Sequence, residues 1–122
     1  MKIKKDEVKE ISINGGSYVP KGSEVEELSD DYVMVRTYSA GVFMGIKEKK
    51  DGQEVTLNNA RRIWYWDGAA SLSQLAMEGT SKPENCKFPC EVPVITLMQV
   101  IEIIPCTNKA IKSIKGVKVW KM

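Results

Sequence analysis

The dipeptide Asp51-Gly52 restricts the fold of this chain more than any other feature. It separates two runs typical of strands, 40–49 and 53–58, and Asp-Gly in that setting predicts a β-hairpin closed by a type I′ turn. With these two residues as the loop, the register places opposite charges together at the tip and large aliphatic residues together further in. The predicted pairs are Lys49 with Glu54, Glu48 with Val55, and Ile46 with Leu57.

Several other segments alternate or are rich in β-branched and aromatic residues, which favours strands. They are 8–13, 32–38, 60–66, 100–104 and 117–120, with a short extended return at 17–20, a polar loop at 21–31 and an ambiguous stretch at 93–98. Gly41 and Gly45 lie inside the second central strand, where glycine indicates a sharp bend or a close backbone approach. A bulge is expected at 58–59 before the strand at 60–66.

Two short helices are predicted. The first, 71–78, begins with the capping-box pair Ser71 and Gln74 and ends at Gly79. The second begins at the capping residue Thr107 and runs to residue 114. The fold class expected for 1–122, taken as a single domain, is therefore β-rich (α+β): a small, partly open antiparallel barrel or curled sheet with two short helices.

The absence of histidine excludes most catalytic arrangements. Among 122 residues there is no histidine and there are only three cysteines, so neither a Ser-His or Cys-His pair nor a four-ligand zinc site can be drawn. No catalytic residue, metal or cofactor is predicted, and the expected class is a binding protein. The start of the chain lacks a signal peptide, and the apolar run 92–105 is interrupted by polar residues, so we expect a soluble cytoplasmic protein that is not bound to membranes.

The segment 58–71 is the candidate binding site. It combines arginines, consecutive aromatic residues, an acid and a helix start, which suit stacking on a base or ring and contact with an anion. The candidate ligand-binding residues are Arg61, Arg62, Trp64, Tyr65, Trp66, Asp67, Ser71 and Gln74. On an alternating strand, the two tryptophans would share one face and Tyr65 the other. The alternative is structural: the tryptophans belong to the core, the arginines extend along the surface, and Ser71 only caps its helix.

Charge is small overall but unevenly placed. The formal net charge is +2, with an acidic stretch at 24–31 and five lysines spaced along 109–121. Such runs are usually solvated faces; the sharper interpretation is a basic end close to a phosphate-bearing partner.

The same central segment resembles a family of small uncharacterised proteins encoded by phages and prophages. The resemblance is carried by 35–43, 59–69, 71–75, 86–89 and 100–106, of which the paired arginines followed by three aromatic residues are the most specific. The order of a bent strand, an Asp-Gly hairpin and a further strand is also similar to Sm-like and SH3-like small barrels. The first resemblance implies a viral origin and no mechanism, and the second concerns the fold alone.

Two functions are compatible with these observations. In the first, the protein is a phage-encoded counter-defence protein in the host cytoplasm that sequesters a small nucleotide-like ligand or blocks a host defence complex. In the second, it is a nucleic-acid-binding or virion-associated interaction module. The modest net charge favours the first, because a long polyanion is usually met by a broad basic surface. Whether the protein forms a homo-oligomer is left open.

Overall fold

In the computed structural model, which describes residues 27–122, five strands form one antiparallel sheet in the order β4-β3-β2-β1-β5. The strands are β1 (Leu28–Thr37), β2 (Val42–Asp51), β3 (Glu54–Arg62), β4 (Glu91–Leu97) and β5 (Val100–Thr107). The helices are α1 (Leu72–Glu78) and α2 (Asn108–Lys115), and Pro83–Asn85 form one turn of 3-10 helix. The predicted segments 8–13 and 17–20 lie outside the described residues. Of the predicted loop 21–31, residues 28–31 belong to β1, so the loop prediction was wrong for them.

The connection between β4 and β5 forces the sheet to curl. These strands lie at opposite edges of the sheet, yet only Met98 and Gln99 join them. Four strand spacings of a flat sheet measure about 19 Å, whereas the three peptide units of this link reach about 11 Å. The ends meet through hydrogen bonds: the Val100 N–H donates to the Gln53 carbonyl, and the Tyr38 N–H donates to the Gln99 carbonyl, each at 2.9 Å. Since β4 and β5 are not paired within the described residues, the partly open curled sheet with two short helices is confirmed.

Alternation along the strands divides the core into two apolar layers. One layer lies on one face of the curl and contains Val33, Val35, Phe43, Val55, Leu57, Ala60, Leu97 and Val100. The other includes residues of the opposite face, such as Met34 and Met44, packed with the helices and with Phe88 and Val117. The two helices therefore cover one face of the sheet, and the position of α1 fixes where the segment leading into it leaves the sheet.

The central hairpin is confirmed, but its register is not the predicted one. The loop residues are Gly52 and Gln53, so Asp51 pairs with Glu54 and Lys50 with Val55. Only Gly52 has a positive φ in this loop, +60°, which matches a type II′ turn. A type I′ turn on Asp51 and Gly52 would need a positive φ at both residues, whereas a type II′ turn needs it only at its first loop residue, Gly52. A register shift between Lys47 and Lys49 then changes the pairing further in, so all three predicted pairs were wrong.

The predicted bulge at 58–59 is present. Asn59 has a φ of +50°, and the β2–β3 register shifts by one residue opposite Gly45. A Cβ at Gly45 would lie 3.1 Å from the Cα of Ala60, so the close backbone approach expected from glycine is also present. The strands predicted at 53–58 and 60–66 are one strand, β3, which ends at Arg62.

Both helices and their caps are confirmed. The Ser71 Oγ accepts a hydrogen bond from the Gln74 N–H, and the Thr107 Oγ1 accepts one from the Ala110 N–H. The stretch 93–98, which the sequence left ambiguous, belongs to β4. The predicted final strand 117–120 was wrong, because that segment makes only an isolated bridge between Val119 and Phe88. Neither helix within residues 27–122 is long and apolar enough to cross a membrane.

Candidate ligand-binding surface

The chain leaves the sheet directly after β3, and this exposes two of its aromatic residues. The Ile63 N–H still donates to the Val42 carbonyl at 2.8 Å, after which Tyr65 pairs only with Lys87. The side chain of Trp64 is 62% exposed and that of Tyr65 is 52% exposed. A core position, the alternative that the sequence left open for the tryptophans, is therefore wrong for Trp64. The alternating strand on which the tryptophans were expected to share a face ends at Arg62, but Trp64 and Trp66 still line the same concavity.

Trp66 is half-buried and differs from its neighbours. Its ring packs against the apolar layer beneath the helices, and its Nε1–H donates to the Ala69 carbonyl at 3.2 Å. Trp66 thus anchors the segment that leads into α1, as the structural alternative predicted for it.

Arg61 is buried and is engaged by the backbone. Its side chain is 4% exposed, and its guanidinium donates to three carbonyl oxygens: Nε to Pro89 at 2.9 Å, Nη1 to Ile114 at 2.8 Å and Nη2 to Phe88 at 3.0 Å. Burial lowers the pKa of Arg61, and the nearby Glu91 carboxylate opposes that effect. Arg61 joins the end of β3 to the C-terminus of α2 and contributes nothing to the exposed surface.

Asp67, Ser71 and Gln74 build the loop and the helix start. The Asp67 carboxylate accepts hydrogen bonds from the Asn85 side-chain amide at 3.0 Å and the Gly68 N–H at 2.8 Å, and these bonds lower its pKa. Ser71 caps α1, and the Gln74 Oε1 accepts a hydrogen bond from the Ala70 N–H at 2.7 Å. Each of these polar side chains makes hydrogen bonds within the protein, and α1 is only seven residues long.

Arg62 presents a charged group beside the exposed indole of Trp64. Its guanidinium carbon lies 4.3 Å from the ring centroid of Phe43, and its Nη1 donates to the Ala40 carbonyl at 2.6 Å. Among the described residues no carboxylate lies within salt-bridge distance of it. Arg62 and Trp64 line one concavity of about 250 Å³, whose other walls are Ser39, Ala40, Gly41, Val42, Ile63 and Trp66. Of the eight predicted residues, Arg62 and Trp64 lie at one concavity and still offer a ligand guanidinium N–H donors and an exposed indole.

Trp120 and Lys87 complete the surface, and sequence reasoning did not assign them to the site. The Trp120 ring is nearly parallel to that of Trp64, with an interplanar angle of 6° and centroids 6.5 Å apart. The Nζ of Lys87 lies 5.9 Å from the Tyr65 centroid and 5.8 Å from the Trp120 centroid. We call Trp64, Tyr65 and Trp120 together the aromatic surface. In the sequence 55 residues separate the two stacked tryptophans, so no local pattern predicts that they meet. The one signal was the basic end of the chain at 109–121.

The segment after α2 carries the second half of this surface. Val117 is buried, and the Trp120 N–H donates to the Phe88 carbonyl at 3.0 Å, which holds the segment against the rest of the molecule. A depression of about 590 Å³ lies beside it, lined by Pro83, Glu84, Cys86, Gly116, Lys118, Val119, Trp120 and Lys121. Within residues 27–122 no three cysteine or acidic side chains are grouped so as to hold a metal ion.

The sequence matches a family model described as Domain of unknown function (DUF6948) over residues 30–114. The chain belongs to this family. The matched residues include Arg62, Trp64 and Tyr65 and end before Trp120. No curated protein and no solved structure gives a significant match. Membership in this family therefore carries no activity with it.

Proposed function

We propose that this protein is a non-enzymatic binding protein that holds a small nucleotide-like ligand at Arg62 and Trp64. The observation that supports this proposal is one concavity in which a guanidinium without a described carboxylate partner lies next to an exposed indole. A guanidinium presents a planar fork of donors that fits phosphate oxygens, and an indole face stacks on any nucleobase. The two side chains are two residues apart, so a nucleotide can contact both.

The size of the concavity indicates how such a ligand binds. Its volume of about 250 Å³ lies below the roughly 300–1,000 Å³ of pockets that enclose a whole ligand. It therefore receives the phosphate beside Arg62, while the base stacks on the outward face of Trp64. Stacking of one base on an aromatic side chain contributes about 1–3 kcal/mol.

The biological role that we propose is counter-defence in the cytoplasm of a phage-infected host. It rests on the resemblance of 35–43 and 59–69 to phage-encoded proteins and on a site suited to a nucleotide. A protein of this kind would sequester a nucleotide signal, or block a host defence complex through the aromatic surface, without turning its ligand over.

A nucleic-acid-binding or virion-associated module is the second candidate. It is favoured by the segment after Glu102, which carries five lysines and no acidic side chain and includes Trp120. Lysines beside a stacking ring are what a single strand requires. One of these lysines is already engaged, because Lys115 donates to the Tyr32 hydroxyl at 2.8 Å, a bond that raises the pKa of Lys115.

Calorimetric titration with 5′-AMP and 5′-GMP tests the proposal. We expect Arg62→Gln to weaken binding at least about tenfold, since a hydrogen bond to a charged group contributes about 1.5–3 kcal/mol. Arg36→Gln is the matched control, because Arg36 is exposed and paired with Glu102 at 3.0 Å on another part of the sheet. Equal affinity of Arg62→Gln and wild type would contradict the proposal, and so would the appearance of protein-dependent products in chromatography of the incubated nucleotides.

The Trp64→Ala variant separates binding from folding. Because the ring is 62% exposed, its removal should cost no more than about 1.5 kcal/mol, the scale of one aromatic pair, and not the 3–5 kcal/mol of a core tryptophan. Thermal unfolding measures this cost. The same variant should lose most of its nucleotide affinity.

A further inference from the structure

The loop between β1 and β2, residues 38–41, is held in shape by one buried side chain. Thr37, the last residue of β1, is 5% exposed. Its Oγ1 accepts a hydrogen bond from the Ala40 N–H at 2.8 Å and donates one to the Gly41 carbonyl at 2.9 Å. The Thr37 N–H donates to the same Gly41 carbonyl at 3.0 Å. Thr37 thus fixes the peptide unit on each side of the one that joins Ala40 to Gly41.

The carbonyl of that middle peptide unit restrains Arg62. The Ala40 carbonyl accepts the Arg62 Nη1–H at 2.6 Å, and the guanidinium carbon lies 4.3 Å from the ring centroid of Phe43. In a guanidinium, the Nε–H and one Nη2–H are parallel donors on one edge of the plane. Among the described residues, neither of these two nitrogens of Arg62 has a hydrogen-bond acceptor. Arg62 therefore keeps one pair of parallel donors while Ala40 and Phe43 hold the rest of the group.

We infer that the phosphate of the ligand binds through two of its oxygens to the Nε–Nη2 edge of Arg62, and that Thr37 is the residue that positions this edge. Two oxygens on one phosphorus match the spacing of two parallel N–H donors. Thr37 is not among the residues that line the concavity, so it acts through the Ala40 carbonyl. A side chain that is ordered before the ligand arrives loses less conformational freedom on binding. This inference rests on the proposed function and specifies how its site holds the phosphate.

Titration calorimetry with 5′-AMP tests the role of Thr37. Thr37→Val removes the hydroxyl but keeps the shape of the side chain, and it should weaken AMP binding about three- to tenfold, the effect of having to order a freed side chain. Thr37→Ser keeps the hydroxyl and should bind within about twofold of wild type.

Thr107→Val is the matched control for the loss of a buried threonine hydroxyl. Thr107 is 2% exposed and does not line the concavity. Its Oγ1 also makes two hydrogen bonds, from the Ala110 N–H at 3.0 Å and to the Met77 carbonyl at 2.7 Å. This variant should lose stability in thermal unfolding and still bind AMP within about twofold of wild type.

Three further variants test the link from Thr37 to the phosphate. In the Arg62→Gln background, Thr37→Val should change the AMP affinity by less than about twofold, because the group that Thr37 positions is gone. Arg62→Lys keeps the charge but not the parallel donors, so it should bind AMP at least about fivefold more weakly than wild type. Gly41→Ala disturbs the same loop through its φ of +102° and leaves the Thr37 hydroxyl in place. It should also weaken AMP binding, which keeps the test valid if Thr37→Val does not fold.

The results distinguish the positioning role from the proposed function. If Thr37→Val and Gly41→Ala bind AMP as the wild type does while Arg62→Gln loses about tenfold, the role of Thr37 is overturned and the proposed function stands. Equal losses of affinity in Thr37→Val and Thr107→Val also overturn that role, because they would follow from stability alone. Wild-type affinity in Arg62→Lys overturns the contact through two oxygens. If AMP does not bind to the wild type, the proposed function falls together with the inference.

Discussion

The adjacent residues Arg61 and Arg62 should respond to substitution in opposite ways. Arg61→Met keeps most of the aliphatic stem but removes the three hydrogen bonds that join β3 to Phe88, Pro89 and Ile114. Arg62→Met removes one bond to an exposed carbonyl and a contact with a phenylalanine ring. The first change should destabilise the protein, and the second should weaken ligand binding.

The cost of Arg61→Met follows from the other donors that reach the same carbonyls. The Phe88 carbonyl also accepts the Trp120 N–H at 3.0 Å, and the Ile114 carbonyl also accepts the Val117 N–H at 3.2 Å. Only the Pro89 carbonyl is left without a donor from the described residues, at a cost of about 1–3 kcal/mol. Loss of the other two charge-assisted bonds adds to this cost, and relief from burying a charge partly offsets it. We expect a total of about 2–4 kcal/mol.

Urea denaturation followed by circular dichroism measures this difference. With a slope of about 1–3 kcal/mol per M, the midpoint for Arg61→Met should fall by about 1–2 M. Arg62→Met should stay within about 1 kcal/mol of wild type, the scale of an exposed cation–π contact. A midpoint for Arg61→Met within about 0.3 M of wild type, at an unchanged slope, would refute the role of Arg61 as the anchor of β3.

Two further predictions concern packing and ionisation. Gly45→Ala should destabilise the protein by about 1–3 kcal/mol in thermal unfolding. The new Cβ would lie 3.1 Å from the Cα of Ala60, a backbone atom that can move only if the strand moves with it. A variant as stable as wild type would show that the bulge has room for the methyl group. Burial raises the pKa of Cys106 to about 12, so as the pH rises its thiol ionises first in the unfolded chain. Between pH about 8.5 and 12 the free energy of unfolding should therefore fall with rising pH, by up to about 1.4 kcal/mol per pH unit. Urea denaturation at pH 8 and pH 10 should show a smaller decline in Cys106→Ala than in the wild type, and equal declines would contradict the burial of this thiol.

Local signals in the sequence were sufficient for much of the fold. The capping residues Ser71 and Thr107 placed both helices correctly, because a cap satisfies backbone groups only a few residues away. The close backbone approach at Gly45 and the bulge at 58–59 were likewise predicted, because each reflects a constraint on the backbone at that position. The hairpin was also predicted, but its register was not, since the loop lies one residue further along the chain than Asp51-Gly52 and two irregularities between β2 and β3 change the pairing further in.

The residues of the candidate surface were identified only in part, because the contacts that form it join segments far apart in the sequence. From the sequence, Arg61 and Arg62 were equivalent; in the fold, one faces three carbonyls of distant segments and the other faces an open concavity. The residue types in 58–71 determined that stacking and anion contact were available near one end of β3. Whether each side chain was used inside the molecule or left for a partner depended on where Phe88, Ile114 and Trp120 arrived, and only the packing of the α2 end against β3 decides that.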